Sequence, residues 1–255
     1  MKKMLTAVPL LLIAAMVFAT GIFAAPVLPF DDIGDCSWAA EAINSLRSKG
    51  IMIGVAENKF APSSEVLGRE MLMSLYRVAG CPKSELSLDA LVWSDKGSWD
   101  YPAVVWGIQN GIIQYGVLGF TQNLGHFRFP NSIKNTYDVP AEVWLRRCDV
   151  IISLYYMAEY LSKSTECASD LTGYNDFNDI INYQPKGWYV NSIKFCDCRY
   201  DNEKEVEILL TVYMGWAVAA GIIKGYDDNT LRPNEYVTRA EYAVMLDRFL
   251  EYVGK

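Results

Sequence analysis

The 255 residues are 51% hydrophobic and 13% aromatic, enough to bury a sizeable core and too much for a disordered chain. Lys and Arg number 23 against 30 Asp and Glu, a formal charge of −7. The clustered basic surface that neutralises phosphates is therefore missing, which argues against nucleic acid as a partner.

The first predicted element is an export signal. Lys2 and Lys3 form a positive start, Met4 to Ala25 carries no charge, and the run ends in the small residues Ala19, Gly21, Ala24 and Ala25. Residues 1–25 are expected to be a cleaved signal peptide. An uncleaved anchor is the alternative, because the run is long enough to span a bilayer, and Pro9 with the small-residue end favours cleavage. No Cys follows the run as a lipoprotein would need, and no later apolar stretch approaches its length. A secreted protein with no membrane contact after cleavage is expected.

Beyond the signal stand six cysteines: Cys36, Cys81, Cys148, Cys167, Cys196 and Cys198. An even number in an exported chain permits three disulfides in 15 connectivities, and the pairing stays open. Cys196 and Cys198 form C-x-C and His126 is the single histidine, so no zinc-ligand spacing exists and no metal is expected.

The remainder repeats itself. A first unit opens at Phe30-Asp31-Asp32, passes Trp38 to Gly50-Ile51-Met52-Ile53-Gly54, then Phe60-Ala61-Pro62, and enters a helix at Val66-Leu67-Gly68-Arg69-Glu70. A second opens at Trp93-Ser94-Asp95 and runs from Trp99 to Gly111, the same twelve-residue step as Trp38 to Gly50. Phe129-Pro130 and Leu145-Arg146-Arg147 continue it. A third opens at Phe177-Asn178-Asp179 and is clearest at Gly221-Ile222-Ile223-Lys224-Gly225-Tyr226, Leu231-Arg232-Pro233 and Val237-Thr238-Arg239-Ala240-Glu241. The units span 26–82, 83–163 (with an insertion near 115–139) and 164–255 (with an insertion near 181–206). Counted from the unit arginine, apolar residues recur at helical spacing: Leu72, Leu75, Tyr76 and Ala79; Val150, Leu154 and Met157, interrupted by Ser153; and Tyr242, Met245, Leu246 and Phe249. The first helix of unit one does the same with Ala39, Ala42, Ile43 and Leu46. Gly50, Gly111 and Gly221 stand where left-handed helix caps are needed, and Thr238 with Glu241 forms a capping box. Helix pairs with one apolar face each must share a core, so one mainly α domain is expected.

These motifs resemble the S-layer homology (SLH) family: an aromatic-x-Asp opening, a Trp-led helix ending in Gly-Ile-Ile-x-Gly, a Phe-x-Pro loop and a Thr-Arg-Ala-Glu helix start. Unit three keeps the last motif intact, Gly68 stands for the Thr in unit one, and unit two keeps Arg147 between Arg146 and Cys148. The resemblance implies three pseudo-threefold helix–loop–helix repeats around a central three-helix bundle. It implies binding of an anionic secondary cell-wall polysaccharide, or a peptidoglycan-linked polymer, in the grooves between repeats. By position, Arg69, Arg147 and Arg239 would face the ligand's carboxylates, since guanidinium is a planar two-pronged donor. Trp38 and Trp99 would flank sugar faces, Gly54 and Gly225 would let the backbone approach, and Asp32, Asp95 and Asp179 would orient these groups. In unit three Leu209 stands where the tryptophan belongs, and Trp216 is displaced.

Each of these residues has a plainer reading. The arginines fit helix-start ion pairs, the tryptophans core packing, the aspartates caps of first helices, and Asp227-Asp228-Asn229 a turn that lacks a calcium-loop pattern. His126, inside an insertion, reads as a surface residue. No nucleophile elbow, His-Glu-x-x-His or phosphate-cradling loop occurs, so a non-catalytic protein without cofactor is expected. It would anchor itself to the cell wall. The alternative is a structural surface-layer or assembly protein acting through protein–protein contacts, including self-association, which the Tyr-rich insertion of unit three suggests.

Overall fold

The computed structural model describes residues 30–83, 97–112, 144–163, 165, 177–179 and 212–255. These residues are mainly helical, with isolated bridges and no β-strand among them. A 3₁₀ turn, Gly34–Ala39, leads into α1 (Ala40–Ser48). Then follow α2 (Gly68–Val78), α3 (Tyr101–Gln109), α4 (Arg147–Tyr160), α5 (residues 212–219) and α6 (Arg239–Val253). The signal segment, both insertions, Asp95, His126, Leu209 and Cys167, Cys196 and Cys198 lie outside the described residues.

The chain sets its long helices by a shared device. Just before α2, α4 and α6, three short extended segments meet and close a ring: Val66 N donates to Val237 O (2.8 Å), Val237 N to Leu145 O (2.9 Å) and Leu145 N to Val66 O (3.1 Å). The flanking bridges Glu65–Thr238, Leu67–Trp144 and Arg146–Tyr236 complete it. The β-branched and Leu side chains at its centre are fully buried. At each helix start a carboxylate three residues on reaches back to the N-cap amide: Glu70 to Leu67 N (3.0 Å), Asp149 to Arg146 N (2.8 Å) and Glu241 to Thr238 N (2.9 Å). Only the last start is a full capping box, because only Thr238 has a hydroxyl to accept Glu241 N (3.2 Å).

These carboxylates define equivalent positions, and they correct the sequence register of unit one. Glu70, Asp149 and Glu241 correspond, so Leu67 stands for the Thr, Gly68 for the Arg, and Arg69 for Ala240. The expected apolar stripe of unit one shifts by one residue with it. Met71, Ser74, Leu75 and Val78 are buried, whereas Tyr76 and Ala79 are only partly so. In α4 and α6 the expected stripes are buried as read.

Shorter helices pack across units. The first helix of unit one, α1, lies on α6 of unit three, and α3 of unit two lies on α2 of unit one. The α5 helix of unit three lies on α4 of unit two, where the Tyr156 and Tyr213 hydroxyls are 2.7 Å apart and the Tyr155 and Trp216 rings 5.2 Å apart. Trp106 and Trp216, each five residues before its unit's glycine, are the aromatic wedges. Trp106 packs against Tyr76 and Tyr160, and Trp216 against Tyr155 and Tyr252, all with centroids 5.2–5.8 Å apart. Trp216, displaced from the position that Trp38 and Trp99 hold, is thus the counterpart of Trp106. Gly50, Gly111 and Gly221 take left-handed φ of 69°, 67° and 70°, as their helix-ending positions require.

Candidate functional site

The predicted site residues fall into three groups. Arg147 and Arg239 are interior groups, 8% and 4% exposed. The Arg239 guanidinium donates to Phe60 O (2.8 Å) and pairs with Glu70. Arg147 donates to the Tyr226 hydroxyl (2.9 Å) and meets Glu241 at 3.4 Å, with the Tyr226 ring beneath it. Each arginine therefore ties one unit's helix start to the next unit's N3 carboxylate, the ion-pair reading of these positions. Burial alone would raise the Glu241 carboxyl. Hydrogen bonds from Tyr226, the Thr238 amide and the Thr238 hydroxyl, with the Arg147 charge, hold it below the ordinary glutamate range. The same burial and hydrogen bond push the Tyr226 hydroxyl up to about 12.

The second group holds the loops. Asp32 accepts from Phe60 N and Ala61 N, both at 2.9 Å, and Asp179 accepts from Leu231 N (2.9 Å) and Arg232 N (2.7 Å). Ala61 and Arg232 have left-handed φ of 57° and 49°, a strained state that the two-amide grip over-determines. The expectation that such an aspartate caps a first helix is corrected for Asp32: Ile33 is the N-cap of the 3₁₀ turn, and no side chain caps it. Gly54 (φ 88°) and Gly225 (φ 77°) sit where the opening aromatic packs. A Cβ on Gly54 would lie 2.5 Å from the Phe30 ring and 2.6 Å from Lys59 O. One on Gly225 would press the Phe177 ring and Thr230 O in the same way. The turn reading of Asp227-Asp228-Asn229 agrees with the geometry: Asn229 has φ 60°, and Asp228 accepts from Thr230 and Arg232.

The third group is exposed at its tryptophans and half-exposed at Arg69. Trp38 is 62% and Trp99 54% exposed, so core packing is not their role. The Arg69 guanidinium stands 5.8 Å from the Trp99 ring centroid. Trp38 lies at the mouth of a cleft of about 520 Å³ between α1, α6 and the turn after α5, walled by Glu41, Lys224, Asp247, Arg248, Glu251 and Tyr252. Arg248 Nη1 reaches Ile222 O at 3.4 Å, which fixes one wall. Burial lowers this guanidinium's pKa from its ordinary value, as does the Arg147 charge. Sequence reading missed the cleft's ionic wall, because Glu41 and Asp247 belong to different units and no motif links them.

Among the described residues the site thus combines a helical scaffold, loops clamped by carboxylates, an exposed indole and charged side chains around it. The S-layer homology domain family matches residues 29–72 and 213–243, the segments that supply the Trp38 and Lys224 sides of the cleft and both clamped loops but for Phe177 to Asp179; the match ends before the α6 wall of the cleft. These two segments of the chain resemble the S-layer homology domain family. Such segments support a protein of the cell surface. No curated protein matches the chain. No helix among the described residues is long and apolar enough to cross a membrane.

Proposed function

We propose that this protein anchors itself to the cell wall, without catalysis, by binding an anionic secondary cell-wall polysaccharide. The observation that carries the reading is the α1/α6 cleft, where an exposed indole stands beside cationic and anionic side chains. Indole faces cover the apolar faces of pyranose rings, and the surrounding polar groups take their hydroxyls and charged substituents. Arg69 beside Trp99, and Lys224 and Arg248 beside Trp38, are the cations offered to the polymer's carboxylates. The buried Arg147 and Arg239 support the walls and do not touch the ligand. The closed hydrogen-bonded ring and the three cross-unit helix pairings support a pseudo-threefold arrangement of three repeats around α2, α4 and α6. Purified protein is expected to sediment with native sacculi and to stay in the supernatant once the secondary polymer is stripped. Retention on stripped sacculi would overturn the polysaccharide reading.

One observation favours a second reading, assembly with other surface proteins. Trp144 and Tyr236 are exposed side by side on the ring, with centroids 5.9 Å apart. Concentration-dependent oligomers, abolished by Trp144→Ala and formed without affinity for sacculi, would establish that reading instead.

A further inference from the structure

The two seams with an exposed tryptophan are built alike but differ in chemistry. The register fixed by Glu70 and Glu241 places Asp247 and Glu251 of the α1/α6 cleft opposite Tyr76 and Gly80 of the α2/α3 seam. The twelve-residue step from tryptophan to glycine places Glu41 opposite Pro102 and Lys224 opposite Ile53. Every carboxylate of the first cleft is absent from the second, so these acids are not required by the fold. Two of the three are also not spent internally: Glu41 and Asp247 make no side-chain hydrogen bond or ion pair among the described residues, and neither does Lys224. Three carboxylates and two cations thus wall one cleft beneath an exposed indole. The three carboxylates offer a place for a cationic group beside the one that Lys224 and Arg248 offer to an anionic group.

We propose that the α1/α6 cleft recognises a sugar unit that carries a free amino group, seated as its ammonium among Glu41, Asp247 and Glu251 while Trp38 covers the ring. This rests on the polysaccharide reading above and names the unit selected within it. An ammonium desolvated on one side by the indole gains from both the carboxylates and the ring face. Lys224 at the rim meets an acidic substituent on the same or the adjoining sugar. The α2/α3 seam, with Arg69 and no carboxylate at the matched positions, takes the unit without the amine.

The test is calorimetric titration of the full protein with a glucosamine tetramer and with the N-acetylglucosamine tetramer of the same length, at low salt and a pH where the amine is protonated. The amino tetramer is expected to bind about tenfold more tightly, the gain of a few partly exposed charge pairs. Glu41→Gln with Asp247→Asn is expected to collapse that preference to less than about threefold, and raised salt to do the same. Asp227→Asn with Glu235→Gln, acids away from the cleft, leaves the preference intact. Equal binding of the two tetramers, no binding of the amino tetramer, or loss of preference in the Asp227/Glu235 variant as well, would each overturn the amino-sugar assignment. Sedimentation of the same preparations with native sacculi decides separately whether the polysaccharide reading stands.

Discussion

Unit one and unit three carry the same loop with the same clamp and differ at the helix that follows. In both, an opening phenylalanine packs over a left-handed glycine, and an aspartate grips two consecutive amides across about thirty or fifty residues of chain. At the helix start they part: unit three places Arg239 in the interior, where it reaches unit one's Phe60 carbonyl and Glu70, whereas unit one has Gly68 there and a half-exposed Arg69 next along. The difference separates two tasks. Positions that hold backbone against backbone are shared, and positions that face solvent or a neighbouring unit have diverged. An arginine near a helix start is therefore not one kind of residue in this chain: Arg239 is a strut and Arg69 a surface cation beside Trp99.

Perturbing the shared clamp should have the largest effect. Asp32→Ala removes two charge-assisted hydrogen bonds to a strained turn and is expected to cost about 3 kcal/mol in chemical denaturation, with Asp179→Ala close behind. Asp32→Asn, which keeps the shape and one acceptor, should recover part of it. Arg239→Ala should cost about 3 kcal/mol as well, since it strands Glu70 and the Phe60 carbonyl. Arg69→Ala should cost under about 0.5 kcal/mol, and a similar loss for both would erase the contrast drawn between them.

Acid should sharpen the same contrast. Glu241 and Asp32 both have carboxyls held below their ordinary values in the folded state, so their contribution is fully present above the unfolded-state pKa and fades as pH falls through the folded one. Burial opposes this at both sites, and hydrogen bonding overcomes it: Phe60 and Ala61 amides at Asp32, Tyr226 and Thr238 at Glu241. Stability measured by urea titration should therefore drop below about pH 4, and Arg147→Met should make the drop shallower by releasing Glu241. The next effect in size is the helix cap: Thr238→Ala should cost about 1 kcal/mol, whereas Leu67→Thr at the matched position of α2 should gain a few tenths. The smallest effect on stability belongs to Trp38→Ala, under about 0.5 kcal/mol, with sacculus binding nonetheless lost.

Much of the fold was legible before any coordinate. The twelve-residue tryptophan-to-glycine step, the Thr238–Glu241 capping box and the stripes of α4 and α6 are local patterns, and local patterns follow from helical geometry alone. The register of unit one was not legible. Val66-Leu67-Gly68-Arg69-Glu70 offers an arginine and a glutamate that invite alignment one residue out, and only the ring of three amide bonds fixes which position enters the helix first. The roles of the aspartates were hidden for a related reason. Asp32 and Asp179 act on backbone 28 to 53 residues away, and no periodicity reaches that far.

The sequence by itself determined that this chain is a mainly helical, repeated, acidic protein, because composition and spacing dictate which faces must be buried. Tertiary structure decided which polar residues are spent. Burial and pairing consume Arg147 and Arg239, backbone amides consume Asp32 and Asp179, and packing leaves Trp38, Lys224, Glu41 and Asp247 unspent around one cleft. Whether a charge is strut or site depends on what the rest of the chain brings within 3 Å of it, and that is a property of the fold.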